Sequence, residues 1–323
     1  MMKAKARAHA NIALIKYWGK ADEALIIPNN SSLSLTLDAF YTDTHVHFDE
    51  HLAEDEFILD GKSDPKTLVK ISKFADLFRA IKGINTRVRV KSVNHVPTAA
   101  GLASSASGFA ALGVAINAAL DLNMDAEVLS TYIRQGSGSA TRSVYGGLVE
   151  WQKGSNTTDS KAVFIDDATF DLGMVIVVID KDEKTISSRV GMQHTIETSP
   201  YYTLWAKDSA RDLEAMKEAI SNKDIDHIGS IAEHNALKMH ATMMSANPAI
   251  IYMQPDSLKA IQMVQAMRNE GLTAFIAMDA GPNVKIVCKL SESDQIVSRL
   301  KTTFKDEQII VSGPGPDAYV LEE

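Results

Sequence analysis

The chain has 323 residues, 45% hydrophobic and 23% charged, a composition that excludes disorder and suits a globular protein with a sizeable core. Its formal charge of −8, from 33 basic and 41 acidic residues, argues against a nucleic-acid partner, yet a few local cations can still hold a small anion within one Debye length, roughly 8 Å. Its single cysteine, Cys288, excludes an intramolecular disulfide and a cysteine-based zinc site, and fits a reducing cytosol.

The opening MMKAKARAHANIALIKYWGK has no long apolar core behind its basic residues, which predicts no signal peptide. Strands follow: LSLTLD sets Leu33, Leu35 and Leu37 on one face, and TDTHVHF and TRVRVKSV also alternate. His45 and His47 share a strand face but lack a third ligand, so they read as surface residues. The GKS at Gly61 has Glu56 where a Walker loop requires glycine, and no G-x-G-x-x-G joins a strand to a helix. Pro65 to Ile81 carries Leu68, Ile71, Phe74, Ala75 and Phe78 at helical spacing.

The run Val96 to Leu120, VPTAAGLASSASGFAALGVAINAAL, holds 25 residues without a charge. A membrane helix needs about 20 predominantly apolar residues, and glycine, serine, Pro97 and Asn117 dilute this one too far. A helix opening at Ala103, Ser104 and Ser105 and ending near Leu120 is expected. Its small first turn suits a phosphate cradle, where unsatisfied N–H groups face an anion, and equally a core helix with simple serine caps.

A helix from about Asp125 to Gln135 and a strand near Gly147 to Gln152 come next. Past Thr169 the pattern changes. LGMVIVVID reads as a buried strand, and helices are predicted over Pro200 to Ile220, Asp224 to Met244, Pro255 to Glu270 and Asp294 to Phe304, with strands in LTAFIAM, NVKIVCKL and EQIIVSG. In the third of these helices Leu258, Ile261, Val264 and Met267 form a core stripe, Asp256 or Ser257 can cap the start, and Gly271 suits the end. The order predicts an α+β protein of two halves, 1–168 and 169–323, around a shared cleft.

Polar residues set among small ones recur in separate segments. NIALIKYWGK supplies Asn11, Lys16, Tyr17, Trp18, Gly19 and Lys20. The helix opening supplies Gly101, Leu102, Ala103, Ser104 and Ser105. GSGSATRS supplies Ser137, Gly138, Ser139 and Arg142, KTISSRVGM supplies Lys184, Ser188 and Arg189, and MDAGPN supplies Asp279. Singly, each has an ordinary reading: Trp18 as packing, Ser137 and Ser139 as turn residues, Asp279 as a turn aspartate. Together they suggest an anion site in which Arg142 clamps a carboxylate bidentately and Lys20 and Arg189 hold a diphosphate.

In their order, NIALIKYWGK, PNNSSLSLTL, PTAAGLASSASGFAAL, GSGSATRS and DAGPN resemble the diphosphomevalonate decarboxylase family, within the galactokinase, homoserine kinase, mevalonate kinase and phosphomevalonate kinase (GHMP) superfamily. The resemblance runs from Lys5 to at least Asn283. Where the wider superfamily usually has more glycine this chain has Ala99, Ala103 and MDAGPN, as the decarboxylase branch does.

The resemblance implies a two-lobed GHMP-kinase fold, α+β, with a ribosomal-protein-S5-domain-2-like N-terminal half holding the ATP phosphate loop and a ferredoxin-like C-terminal half holding the catalytic aspartate. It implies ATP-dependent decarboxylation of (R)-5-diphosphomevalonate to isopentenyl diphosphate, with ADP, phosphate and carbon dioxide, in a cytoplasmic homodimer of the mevalonate pathway. By similarity, Asp279 accepts or orients the tertiary hydroxyl proton, and Arg142 with Asn11 holds the carboxylate. Tyr17, Trp18, Gly19, Lys20, Ser137, Gly138, Ser139, Ser188 and Arg189 bind the rest of the substrate. Residues Gly101 to Ser105 hold ATP, Ser105 also Mg2+, and Lys16 and Lys184 meet the transferring phosphoryl. Lys66, Lys70 and Lys73 lie on a helix where the family has basic contacts. Two alternatives stay open, a related mevalonate or phosphomevalonate 3-kinase or decarboxylase and a non-catalytic binding homologue.

Overall fold

The structure, a computed structural model, describes residues 2–95, 105–180 and 186–322. The opening stretch forms one strand, Lys3–Ile15, whose Ala4, Ala6 and Ala8 are buried. Their small side chains let helix α2 (Ser105–Ala119) lie close, with Ala110, Ala111 and Ala115 in the same core. The expected strands LSLTLD and TDTHVHF prove to be a single strand, Ser32–Asp49. It is the spine of an eight-stranded sheet in the order Tyr319–Leu321, Lys3–Ile15, Ser32–Asp49, Arg87–His95, Glu56–Leu59, Lys62–Ser63, with Leu148–Trp151 and Ala162–Asp166 added beside its first half. Among the described residues only the Glu56–Leu59 and Arg87–His95 pair runs parallel. Helices α1 (Pro65–Lys82), α2 and α3 (Ala126–Gly136) share a core with one face of this sheet.

A second, four-stranded antiparallel sheet has the order Ala274–Ile276, Val284–Lys289, Leu172–Val177, Ile309–Ser312. Helix α4 spans Ser188–Thr198, α5 Tyr202–Ser221, α6 Ile225–Met244, α7 Pro255–Asn269 and α8 Ser293–Leu300. One face of the small sheet packs with α7 and α8. On its other face, Met174 and Ile176 share a core with Leu33, Leu35 and Leu37 of the large sheet and with α5 and α6. No helix among the described residues is long and apolar enough to cross a membrane. The mixed α+β architecture is the one expected from the strand and helix order.

Several boundaries have local causes. Asp64, Asp125 and Asp224 accept backbone N–H bonds at the starts of α1, α3 and α6, satisfying donors that a helix leaves open. At α7 neither Asp256 nor Ser257 is the cap residue. Gln254 is, with the Ser257 hydroxyl accepting from its N–H at 3.1 Å. The buried face of α7 is Ala260, Val264 and Met267, while Leu258 is 51% exposed, so the expected stripe is rotated toward the alanine. Helix α4 escapes the periodicity reading because it buries only Gly191 and Thr195.

Candidate active site

A cavity of about 310 Å3 lies where the end of the first strand, the first turns of α2 and α4, the turn after α3 and the loop after Ala274–Ile276 converge. Arg142 reaches it from a 3-10 turn, Gly138–Val144. The residue is 2% exposed. Its guanidinium donates to the hydroxyls of Ser34 (2.9 Å) and Ser32 (2.5 Å) and to Asn11 Oδ1 (3.1 Å). Asn11 is itself held by the Ser139 carbonyl at 2.9 Å and the Ser143 hydroxyl at 2.7 Å. Every one of these acceptors is neutral, and no carboxylate lies within ion-pair distance of Arg142 among the described residues. Burial pushes the guanidinium down to about 10, opposed by Asp279 and Tyr17, so it is still charged at neutral pH. An uncompensated buried charge is costly, and an anion entering the cavity would relieve that cost.

Asp279 enters from the small sheet, a few residues past Ala274–Ile276. Its carboxylate accepts from Lys16 Nζ at 2.7 Å and faces Lys285 Nζ at 3.3 Å. Both lysines are buried, at 1% and 3% exposure. Lys16 also donates to the carbonyls of Ala13 (2.6 Å) and Ala277 (3.2 Å). Burial lowers the Lys16 ammonium from its usual range, and the adjacent Asp279 opposes that fall. The MDAGPN turn is anchored by Asn283, whose Oδ1 accepts from Ile179 N at 2.7 Å and Asp180 N at 3.0 Å.

A third group of charges lines the same cavity: Lys20, Lys70 on α1 and Arg189 at the start of α4. Burial, then Arg189 and Lys20, lowers the Lys70 ammonium, as expected where cations crowd together. Lys20 has one acidic neighbour, Glu23 at 2.6 Å. Lys66 and Lys73 are exposed on α1 and take no part in the cavity wall.

The other expected residues fall as follows. Tyr17, Trp18, Ser137, Gly138, Ser139, Ser188 and Ser105 all border the cavity. Tyr17 packs on Trp151 with ring centres 4.8 Å apart, and a Cβ at Gly138 would lie 2.8 Å from Trp151, so only glycine lets the loop pass. Trp18 is 1% exposed among Tyr202, Trp205 and Met239. Ser105 is exposed at the opening of α2. Gly101, Leu102, Ala103, Ser104 and Lys184 lie outside the described residues.

Gly19 is adjacent to the cavity wall rather than part of it. Its φ is +119°, and an added Cβ would fall 2.0 Å from Tyr202 Oη. That hydroxyl bonds the Trp18 carbonyl at 2.7 Å, a strut between α5 and the loop that carries Tyr17 and Lys20. Gly19→Ala is expected to cost about 1–3 kcal/mol, the range for backbone strain at such a site, read as a lower urea midpoint with a raised substrate KM. An unchanged midpoint would remove the strut from the account.

Residues not singled out from sequence also belong here. Lys285 sits in an apolar strand. Ser32 and Ser34 are fully buried in the strand whose leucines Leu33, Leu35 and Leu37 carry the apolar face.

Comparison with known proteins identifies the family. Residues 8–162 match the diphosphomevalonate decarboxylase-like N-terminal domain, and 174–314 match the mevalonate 5-diphosphate decarboxylase C-terminal domain. Diphosphomevalonate decarboxylase of Candida albicans is 37% identical over 94% of this chain and 89% of its own length. The crystal structure of mevalonate diphosphate decarboxylase from Staphylococcus aureus has a TM-score of 0.96 at 45% identity, covering 99% of this chain and 98% of that one. The complex of MDDEF with MVAPP, AMPPCP and magnesium has a TM-score of 0.94 at 45% identity, covering 99% of both chains. Both domain matches lie end to end along a chain whose buried arginine and lysine-flanked aspartate face one cavity, and the chain belongs to the diphosphomevalonate decarboxylase family of the GHMP-kinase fold.

Proposed function

We propose that the cavity binds 5-diphosphomevalonate and ATP and converts them to isopentenyl diphosphate, carbon dioxide, ADP and phosphate. The observation that carries this reading is Arg142, a buried guanidinium whose partners among the described residues are all neutral. A substrate carboxylate would complete its bidentate pairing. At the cavity wall, Lys20, Lys70 and Arg189, with Ser188, Ser137, Ser139 and Tyr17, hold the diphosphate and chain of the substrate.

The substrate's tertiary hydroxyl is a poor leaving group until it is phosphorylated. Asp279 orients that hydroxyl and takes its proton as the oxygen attacks the γ-phosphoryl. Lys16 and Lys184 offset charge on the transferring group. The carbon–oxygen bond then breaks with phosphate as leaving group. The carbon–carbon bond to the carboxylate breaks with it, its electrons forming the alkene as carbon dioxide departs. Arg142 and Asn11 keep the carboxylate aligned for that step.

Residues 101 to 105 and the first turn of α2 hold the ATP phosphates. Magnesium, bound with help from the Ser105 hydroxyl, neutralises phosphate charge. The MDDEF complex, which contains MVAPP, the ATP analogue AMPPCP and magnesium, supports ATP and magnesium as the ligands of this reading. The division at 168 and 169, the homodimer and a cytoplasmic location belong to the same reading.

The test offers mevalonate, its 5-phosphate and its 5-diphosphate with ATP and magnesium, following ADP and carbon dioxide together. Equal amounts of both from the diphosphate alone are expected. ADP without carbon dioxide would make the chain a 3-kinase, and neither product would make it a binding homologue.

A further inference from the structure

Lys16 and Asp279 each lie just past the end of a strand. Lys16 follows Lys3–Ile15, and at Asp279 the sheet ladder has already ended, its last bond running from Ala277 N to Lys285 O. Helix α6 holds both. Asn235, fully buried, accepts the Lys16 N–H on Oδ1 at 2.9 Å. His240, 3% exposed and little more than a turn further along, bonds the Asp279 carbonyl through Nε2 at 3.1 Å. Asn235 is fixed in turn by Asp212 at 2.7 Å, and Asp212 pairs with Lys238 on the same helix.

Among the described residues the His240 ring forms no ion pair with an acid. Burial, with Lys16 next, pushes it down to about 4 against the opposing charge of Asp279, so the ring is neutral at pH 7 and must carry its one proton on Nε2 to bond a carbonyl. An apolar side chain would fill the same space without that desolvation cost. The hydrogen bond to the Asp279 backbone is what the imidazole adds.

Resting on the function above, we propose that α6 sets the spacing of the Lys16–Asp279 pair, with Asn235 and His240 as positioning residues that hold the two backbones from one rigid element. Neither touches substrate. Their effect is on the alignment of the carboxylate with the hydroxyl it serves, and misplacement on the scale of 1 Å can cost about 10²-fold in rate.

The test is a series at His240 in the full chain, following carbon dioxide release. His240→Leu is expected to lose roughly 100-fold in kcat with the diphosphomevalonate KM within about twofold of the parent. His240→Gln, whose amide N–H has similar reach, is expected to recover most of that loss, and the shorter His240→Asn is not. A Leu variant with parental kcat would overturn the proposal. If it does not fold, equal kcat for the Gln and Asn variants would do so. The parent's own carbon dioxide release tests the underlying function separately. A crystal structure of the Leu or Asn variant gives a reading independent of turnover: the Lys16 to Asp279 contact is expected to lengthen beyond hydrogen-bond reach, and an unchanged contact would overturn the role of α6.

Discussion

Asp279→Asn is expected to lower kcat by about 10²–10⁴-fold, the usual share of a positioned acid–base group, while calorimetry still detects binding of diphosphomevalonate and nucleotide. The amide keeps the shape of the carboxyl but can neither take the hydroxyl proton nor balance Lys16 and Lys285, which lie 2.7 Å and 3.3 Å away. The change also alters stability with a defined sign. Burial already holds the Lys16 ammonium below its ordinary value of 10.5, and Asp279 limits that fall. Without the carboxylate, the folded form binds that proton still less tightly than the unfolded chain does. Stability of the variant should then rise more steeply than the parent's as the pH climbs through the alkaline range toward 10.5, and fall away as the pH drops. Denaturant midpoints across pH 7 to about 10 measure it. A variant with parental turnover would remove Asp279 from the chemistry, and identical pH slopes would mean that it does not hold the lysine charged.

Arg142→Met separates binding from folding in the opposite way. Removing one partner of a buried, hydrogen-bonded charge pair costs about 2–5 kcal/mol, which at about 1.4 kcal/mol per tenfold means roughly 30- to 4,000-fold in kcat/KM. The folded apo protein should lose little stability, because the arginine has no acidic partner among the described residues and its burial is itself unfavourable. Arg142→Lys should fall between the two, since an ammonium keeps the charge but not the planar fork that meets Asn11, Ser32 and Ser34. A Met variant that unfolds in the absence of ligand, or one that turns over normally, would show that the guanidinium serves the fold and not the substrate.

Much of this arrangement was legible from the chain alone, for reasons that differ from residue to residue. The helix starts expected at Pro65, Asp125 and Asp224 lie within a residue of the observed ones, each beside an aspartate that caps the first turn. Arg142, Asp279 and Lys16 stood out as charges among small and apolar neighbours, and the fold brings all three to one cavity wall. Lys285 did not stand out, because a lysine in NVKIVCKL reads as the wet side of a strand. The strand is covered on both faces, and the lysine is buried against Asp279. His240 and Asn235 were hidden for a related reason. Periodicity identifies which face of a helix is apolar, but the partners of a polar residue on that face are fixed only when a distant strand end arrives beside it. The alternation of LSLTLD marked only its leucines, and it takes the folded chain to bring Arg142 against Ser32 and Ser34 on the strand's other side.

The core shared by Leu33, Leu35 and Leu37 with Met174, Ile176, α5 and α6 has an evolutionary corollary. The large and the small sheet share this core, so neither packs independently of the other. A recombinant joining one relative's N-terminal part to another's C-terminal part has to match side chains along that seam before the arginine and the aspartate can meet. Descent in this lineage should therefore favour paired substitutions across the seam, each half changing only as fast as the other can follow.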